Sequence, residues 1–371
     1  MADKRIVHVV GTGTIGEPLT GLLCDHKDEF GLDAITFHKR TPLKTDRSKV
    51  LNLIQRRGAK LAVDADRVQE FKDFGMEPGL TSEEALEQAS VVIDCTPVGN
   101  QNKVELYEKH ADNTLGFVAQ GSEFGFGKMY ARGINDSALV PGEDKFLQVV
   151  SCNTHNLAVI LQTIGFPPKE LDYKESESPP MGDPDNLVSA RFLCIRRSND
   201  LSQDGSFVPS PTITAHKDPV YGTHHARDVH HLFKTLGVDL GNVFSSAIKV
   251  NTQYMHTIQF QLRLKNKTSL EEIRRNIWRN DRLSETWKVS VNSVFSFGRD
   301  QGHFGRILNQ TVFCLPSLHV SPDGKEVTGF CFTPQDGNSL LSSLSATFWF
   351  FDPSTYEQKL QILKPYFFDE V

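Results

Sequence analysis

A cysteine stands directly after a short apolar run in Val149-Val150-Ser151-Cys152-Asn153-Thr154, and Leu157, Ile160 and Leu161 follow it at helical spacing. That spacing sets the thiol at a helix N-terminus, where free amides and the dipole favour thiolate, the form that attacks a carbonyl carbon. A single cysteine in a chain this long is more often a small buried hydrophobe, so its neighbours decide its role. The second chemically specific segment is Gly11-Thr12-Gly13-Thr14-Ile15-Gly16, between the β-branched run Ile6 to Val10 and a helical pattern. Gly11 permits a tight turn, Gly13 lets the backbone approach a pyrophosphate, Gly16 allows close helix packing, and first-turn amides favour phosphate. At the end of the second strand, where a carboxylate would accept ribose hydroxyls, the chain has His38-Lys39-Arg40-Thr41. Lys39, Arg40 and the Thr41 hydroxyl suit a 2′-phosphate, so NADP is the preferred dinucleotide and NAD the second choice.

Two kinds of element must hold these groups. Ile6 to Val10 reads as a strand buried on both faces; Leu19, Leu22 and Leu23 form a helical stripe, and Ala34 to Phe37 a second strand. Val91 to Ile93 leads into Asp94-Cys95-Thr96-Pro97, and Phe117 to Ala119 into Gln120-Gly121-Ser122. Alternating strands and helices predict an α/β, doubly wound Rossmann domain that ends near Ser151. Beyond Cys152, Arg191 to Ile195, Phe244 to Val250, Ile258 to Leu264 and Val327 to Phe332 alternate apolar with polar residues. They predict an α+β domain over 152–334 with a mainly antiparallel sheet covered on one face. Lys174 to Asn186, dense in Ser, Glu, Pro and Asp, reads as an exposed loop.

With 371 residues, 40 Lys plus Arg against 46 Asp plus Glu, and a net charge of -6, the chain offers two domains and no global positive field for a nucleic acid. It has neither a run long enough to span a bilayer nor a signal-peptide pattern, which implies no membrane partner and a cytoplasmic location. The six dispersed cysteines read as free thiols. Thirteen histidines, with His224-His225 and His230-His231 among them, raise a metal site, but hydride transfer to a dinucleotide needs no metal and none is expected.

Taken together, the segments resemble the archaeal-type (class II) phosphorylating glyceraldehyde-3-phosphate dehydrogenases over most of the chain. The resemblance rests on Gly11 to Gly16, Lys39-Arg40-Thr41-Pro42, Asp94 to Gly99, Lys103 to Lys109, Gln120-Gly121, Val150 to Thr154, Arg196-Arg197, His224-His225-x-x-Asp228-Val229 and Met255-His256. It implies reversible NAD(P)-dependent oxidation of glyceraldehyde 3-phosphate, with Cys152 as nucleophile and His256 as base, through a thiohemiacetal and a thioester that inorganic phosphate cleaves. Ser151, Asn153, Thr154, Arg196, His224 and His225 then line the substrate. Thr14, Ile15, Thr96, Pro97, Gly121, Arg197 and Gln335 join Gly11, Gly13, Gly16 and Lys39 to Thr41 around the cofactor. The resemblance further implies a homotetramer, a tail from about residue 335 to 371 returning to the first domain, and a site between domains. The chain departs from the family pattern at His155-Asn156, where Thr-Gly is usual, at Ser198-Asn199-Asp200, where Gly-Ala-Asp is usual, and in insertions around Ile134 to Lys145 and Lys174 to Asn186. Those departures leave open the same chemistry on another aldehyde or an acyl-CoA, as in semialdehyde dehydrogenases, or a non-catalytic NADP-binding protein.

Overall fold

A computed structural model describes residues 4–121, 123–168, 181–200, 205, 208–334 and 336–371; Gln335 and residues 174–180 of the acidic loop lie outside them. The chain forms two compact units, 1–128 with 140–149 and 343–362, and 129–139 with 150–342 and 363–371. Among the described residues no helix is long and apolar enough to cross a membrane.

In the first unit β1 (Ile6–Val10), β2 (Ala34–His38), β3 (Lys60–Val63), β4 (Leu80–Thr81), β5 (Val91–Asp94), β6 (Gly116–Gln120) and β8 (Phe146–Val149) pair in the order β4-β3-β2-β1-β5-β6-β8. Every pair is parallel. A further short strand of the same eight-stranded sheet, β7 (Lys128–Tyr130), lies where the chain passes to the second unit. β1, β5 and β6 are buried along their whole length, which explains their unbroken apolar runs. Strand order reverses at β1/β5, and at this switch point the glycine loop leaves β1 to start α1 (Gly16–Asp25). Gly11 takes φ +93°, and a Cβ on Gly16 would stand 2.0 Å from the Gly11 carbonyl oxygen, so neither position tolerates a side chain.

The second unit holds β9 (Leu187–Arg196), β10 (Thr212–Ile213), β11 (Val243–Lys249), β12 (Thr257–Leu264), β13 (Leu283–Thr286), β14 (Thr311–Cys314), β15 (His319–Val320) and β16 (Glu326–Phe332), ordered β10-β11-β9-β12-β16-β14-β13 with β15 on β16. The sheet is mixed. Its centre, β9-β12-β16-β14, is antiparallel as the alternation predicts, but β9/β11 and β13/β14 are parallel. A helical crossover causes each exception, α3 (His224–Lys234) before β11 and α4 (Val291–Gln301) before β14. Helices α2 (Cys152–Ile160) and α3 share a core with the sheet through Leu157, Ile160, Val229, Phe233, Phe192 and Phe260, side chains worth about 1.5–3 kcal/mol each when fully buried.

The C-terminal tail is shared between the units, 343–362 in the first and 363–371 in the second. Leu340, Leu341 and Leu344 do lie on one helix, α5 (Gly337–Phe351), but Leu363–Val371 belongs to the second unit. The reason is hydrogen bonding: Leu308 donates to the Tyr366 carbonyl, Glu285 to that of Asp369, and Val371 to that of Glu285.

Candidate active site

Ser151 caps α2: its hydroxyl accepts the Thr154 amide at 3.3 Å and pairs with the Thr154 hydroxyl at 2.9 Å, leaving Cys152 as the first helical residue. Asn338 Nδ2 donates to the Cys152 carbonyl at 3.1 Å. The charges of Arg197 and Asp336 act on this thiol, and strand register brings His256 to them. β12 pairs with β9 so that Thr257 lies opposite Ile195, which brings His256 beside Arg196-Arg197. The Arg197 amide donates to His256 Nδ1 at 3.0 Å, and the Thr333 amide, just past β16, donates to the His256 carbonyl. A backbone amide can only donate, so in the neutral imidazole Nδ1 is the acceptor and Nε2 carries the hydrogen. The buried Arg197 guanidinium pairs with Asp336 at 3.0 Å and Asp200 at 2.8 Å. Asp336 sits at φ +66°, a strained conformation for a non-glycine residue, and these pairings hold it there.

The electrostatics correct one expectation. The helix start was predicted to favour thiolate, yet although Cys152 is only half-buried, burial pushes its thiol up to about 12; Asp336 adds to this and Arg197 opposes it. Desolvation outweighs the Arg197 charge and the Asn153 amide, which both lower it. Burial and the Arg197 charge push His256 down to about 3, so the ligand-free site pairs a neutral thiol with a neutral imidazole. His224, half-buried, is lowered to about 4 and the buried His225 well below its ordinary range, again chiefly by burial and then by neighbouring positive charge.

Of the residues expected to contact substrate, His224 and His225 lie with ring centroids 3.9 Å apart and planes tilted by 52° at the start of α3, and both rings feel the charge of Arg196. Neither nitrogen of the buried His225 ring has a partner, nor does Asn153 Oδ1, and among the described residues the Arg196 guanidinium makes no hydrogen bond or ion pair. The orphaned His225 imidazole, which carries one N–H, beside an unpaired cation suits an oxyanion ligand. Ser151 and Thr154 instead satisfy each other. Arg197, expected on the cofactor, is committed to two carboxylates. His155, a departure from the family pattern, is a brace: Nδ1–H donates to the Ser151 carbonyl at 3.0 Å and Nε2 takes the Ser342 hydroxyl at 2.8 Å. Asp336, Asn338 and Asp200 were not picked out from sequence; no spacing rule joins them to Cys152, because tertiary pairing alone assembles them.

In the first unit the glycine loop fits a dinucleotide phosphate. A Cβ on Gly13 would meet nothing within 4 Å, so the backbone there is open, and no side chain caps the start of α1. Asp94, fully buried, braces the neighbouring turn by accepting the Thr96 amide and hydroxyl, Asn102 Nδ2 and the Tyr107 hydroxyl. Thr96 thereby lies against Gly11, Pro97 is exposed, and Gly121, at φ +77°, has open space around it. Thr14 is buried and Ile15 half-buried at the helix start. Arg40 and Thr41 are exposed, but Lys39 is buried and tied to Asp46 at 2.5 Å. Among the described residues no group of three or more His, Cys, Asp or Glu is arranged to hold a metal.

No protein-family model matches the chain. Among curated proteins it is similar to the glyceraldehyde-3-phosphate dehydrogenase of Methanobacterium formicicum, 28% identical over 298 residues, 77% of this chain and 73% of the relative. The Sulfolobus acidocaldarius protein of that name is 25% identical over 335 residues, covering 87% and 85%. The Methanopyrus kandleri protein of that name is 27% identical over 339 residues, covering 86% and 85%.

Proposed function

We propose that this chain, which belongs to the archaeal-type glyceraldehyde-3-phosphate dehydrogenase family, oxidises glyceraldehyde 3-phosphate to an acyl phosphate with Cys152 as nucleophile. Supporting this most directly is a thiol on the first turn of α2 that shares Arg197 and Asp336 with a neutral histidine. Cys152 Sγ bonds to the aldehyde carbon, and the thiol proton ends on the hemiacetal oxygen. The dinucleotide, when bound, accepts the hydride from that carbon; the hydroxyl proton leaves to His256, and a thioester remains. Phosphate then attacks the thioester carbon, forming the acyl phosphate and releasing the Cys152 sulfur. To take a proton at Nε2, His256 must carry its hydrogen on Nδ1, so its bond from the Arg197 amide has to open as substrate enters. Arg196, His224, His225 and Asn153 hold the substrate phosphate or the attacking one.

The glycine loop, with Thr96 and Gly121 beside it, is the cofactor site of this reading, and the cationic end of β2 favours NADP over NAD. A homotetramer is part of the same proposal. The test follows absorbance at 340 nm with glyceraldehyde 3-phosphate, NADP or NAD, with and without phosphate. Phosphate-dependent NADPH formation is the expected result; turnover of other aldehydes with coenzyme A in place of phosphate would move the reading to a semialdehyde or acyl-CoA enzyme. Cofactor binding without turnover of any aldehyde would leave a nucleotide-binding protein. With His155 engaged on both nitrogens, the departure closest to Cys152 gives no ground for a different aldehyde.

A further inference from the structure

Of the two cations at the end of β2, Lys39 is not free, and what binds it is a carboxylate seven residues on in sequence. Asp46, in a short turn after β2, places Oδ2 at 2.5 Å from Lys39 Nζ and Oδ1 at 3.2 Å from Lys49 Nζ. Lys49 in turn donates to the Thr12 carbonyl of the glycine loop at 3.2 Å. The carboxylate therefore stands between the strand end and the loop, the two features between which the adenosine ribose of a bound dinucleotide lies in this fold. Lys39 is almost wholly enclosed, with 8% of its surface exposed, so its charge reaches a ligand only past Asp46. Arg40 is exposed, and its charge acts on Asp64 rather than on Asp46.

We infer that Asp46 is the residue that sets the preference between NAD and NADP: its carboxylate accepts the ribose 2′-hydroxyl of NAD, and a 2′-phosphate reaches Lys39 only by displacing it. This rests on the dinucleotide part of the proposed function and revises its simplest form, in which Lys39 binds the 2′-phosphate unopposed. A carboxylate and a phosphate competing for one ammonium repel each other, and removing one like charge at hydrogen-bond range is worth about tenfold in affinity at a partly screened surface.

The experiment titrates the full-length protein with NADPH and with NADH, following cofactor fluorescence, so that it reads binding and not turnover. Asp46→Asn is expected to tighten NADPH about tenfold relative to NADH, and Asp46→Ser to do the same, which guards against a specific effect of the amide. Lys39→Met should move the ratio the other way by a similar factor. An NADPH-to-NADH ratio unmoved by both Asp46 substitutions overturns the inference and leaves the dehydrogenase reading standing. Wild-type protein that binds neither dinucleotide overturns both. A circular dichroism spectrum and melting temperature close to wild type in each variant show that the fold survives the loss of the Asp46 to Lys39 pair.

Discussion

The glycine loop and the thiol region solve recognition in opposite ways. Around Gly11 to Gly16 the groups offered to a ligand are backbone amides, held by a turn that six consecutive residues define. Around Cys152 they are side chains from four separated segments, Cys152, Arg197, His256 and Asp336, enclosed so that burial keeps Cys152 and His256 neutral while Arg197 holds the Asp336 carboxyl below its ordinary range. A backbone-built site is written locally; a side-chain-built site exists only once strand register has been set. The sharpest way to separate the two is Cys152→Ala. It should lower NAD(P)H formation by at least about 10³-fold while leaving NADH binding, read by fluorescence, at its wild-type value. Loss of both together would mean that the regions are not separable.

Acid provides the next largest contrast. The folded pKa of a buried histidine lies below its unfolded value, so above about pH 6.5 it contributes nothing, and below that the unfolded chain takes up a proton the folded one refuses. Each such histidine lowers stability by about 1.4 kcal/mol per pH unit until its folded pKa is reached. The first unit has one, His8, lowered to about 3 by burial and then by His38. The second has His155 and His224, each lowered to about 4, His256 to about 3, and His225 well below its usual range. Pulse-labelling hydrogen exchange after incubation between pH 6.5 and 4.5 should therefore show the second unit opening first. Equal loss of protection in both units would refute the neutral-histidine description.

Asp336 links charge to geometry on a smaller scale. Asp336→Ala removes one of the carboxylates paired with the buried Arg197 and should cost about 3 kcal/mol, read as a lowered midpoint in urea. Because Asp336 raises the Cys152 pKa, Asp336→Asn should speed alkylation of Cys152 by iodoacetamide at pH 8 in protein whose circular dichroism is unchanged. A slower reaction would reverse the assigned sign.

Residue types in the sequence foretold more than their states. β1, β2, β5, β6 and the α1 start follow from contiguous patterns, and the antiparallel centre of the second sheet from alternation. The two parallel pairs escaped because a crossover helix, not strand composition, decides them. Cys152 at a helix start was legible, but its raised pKa was not, since desolvation depends on what packs over it. Lys39 looked like a phosphate ligand until Asp46, seven residues on, came back to meet it. Partners assembled by tertiary return, Asp46, Asp336 and Asn338 among them, carry no local signature.

The two glycines at the ends of one short stretch test the backbone-built site most finely. Gly16→Ala drives a Cβ to 2.0 Å from the Gly11 carbonyl oxygen, within contact distance that real side chains do not tolerate, so the turn must shift. That should cost about 1–3 kcal/mol of stability and weaken dinucleotide binding with it. Gly13→Ala meets nothing within 4 Å, so the protein alone should lose under about 0.5 kcal/mol. Its methyl group nevertheless occupies the space a phosphate needs, and binding of NADH and NADPH should each weaken about tenfold with the melting temperature unchanged. If Gly13→Ala bound both cofactors as well as wild type, the open face of the loop would not be where the pyrophosphate sits, and the contrast with the thiol region would lose its firmer half.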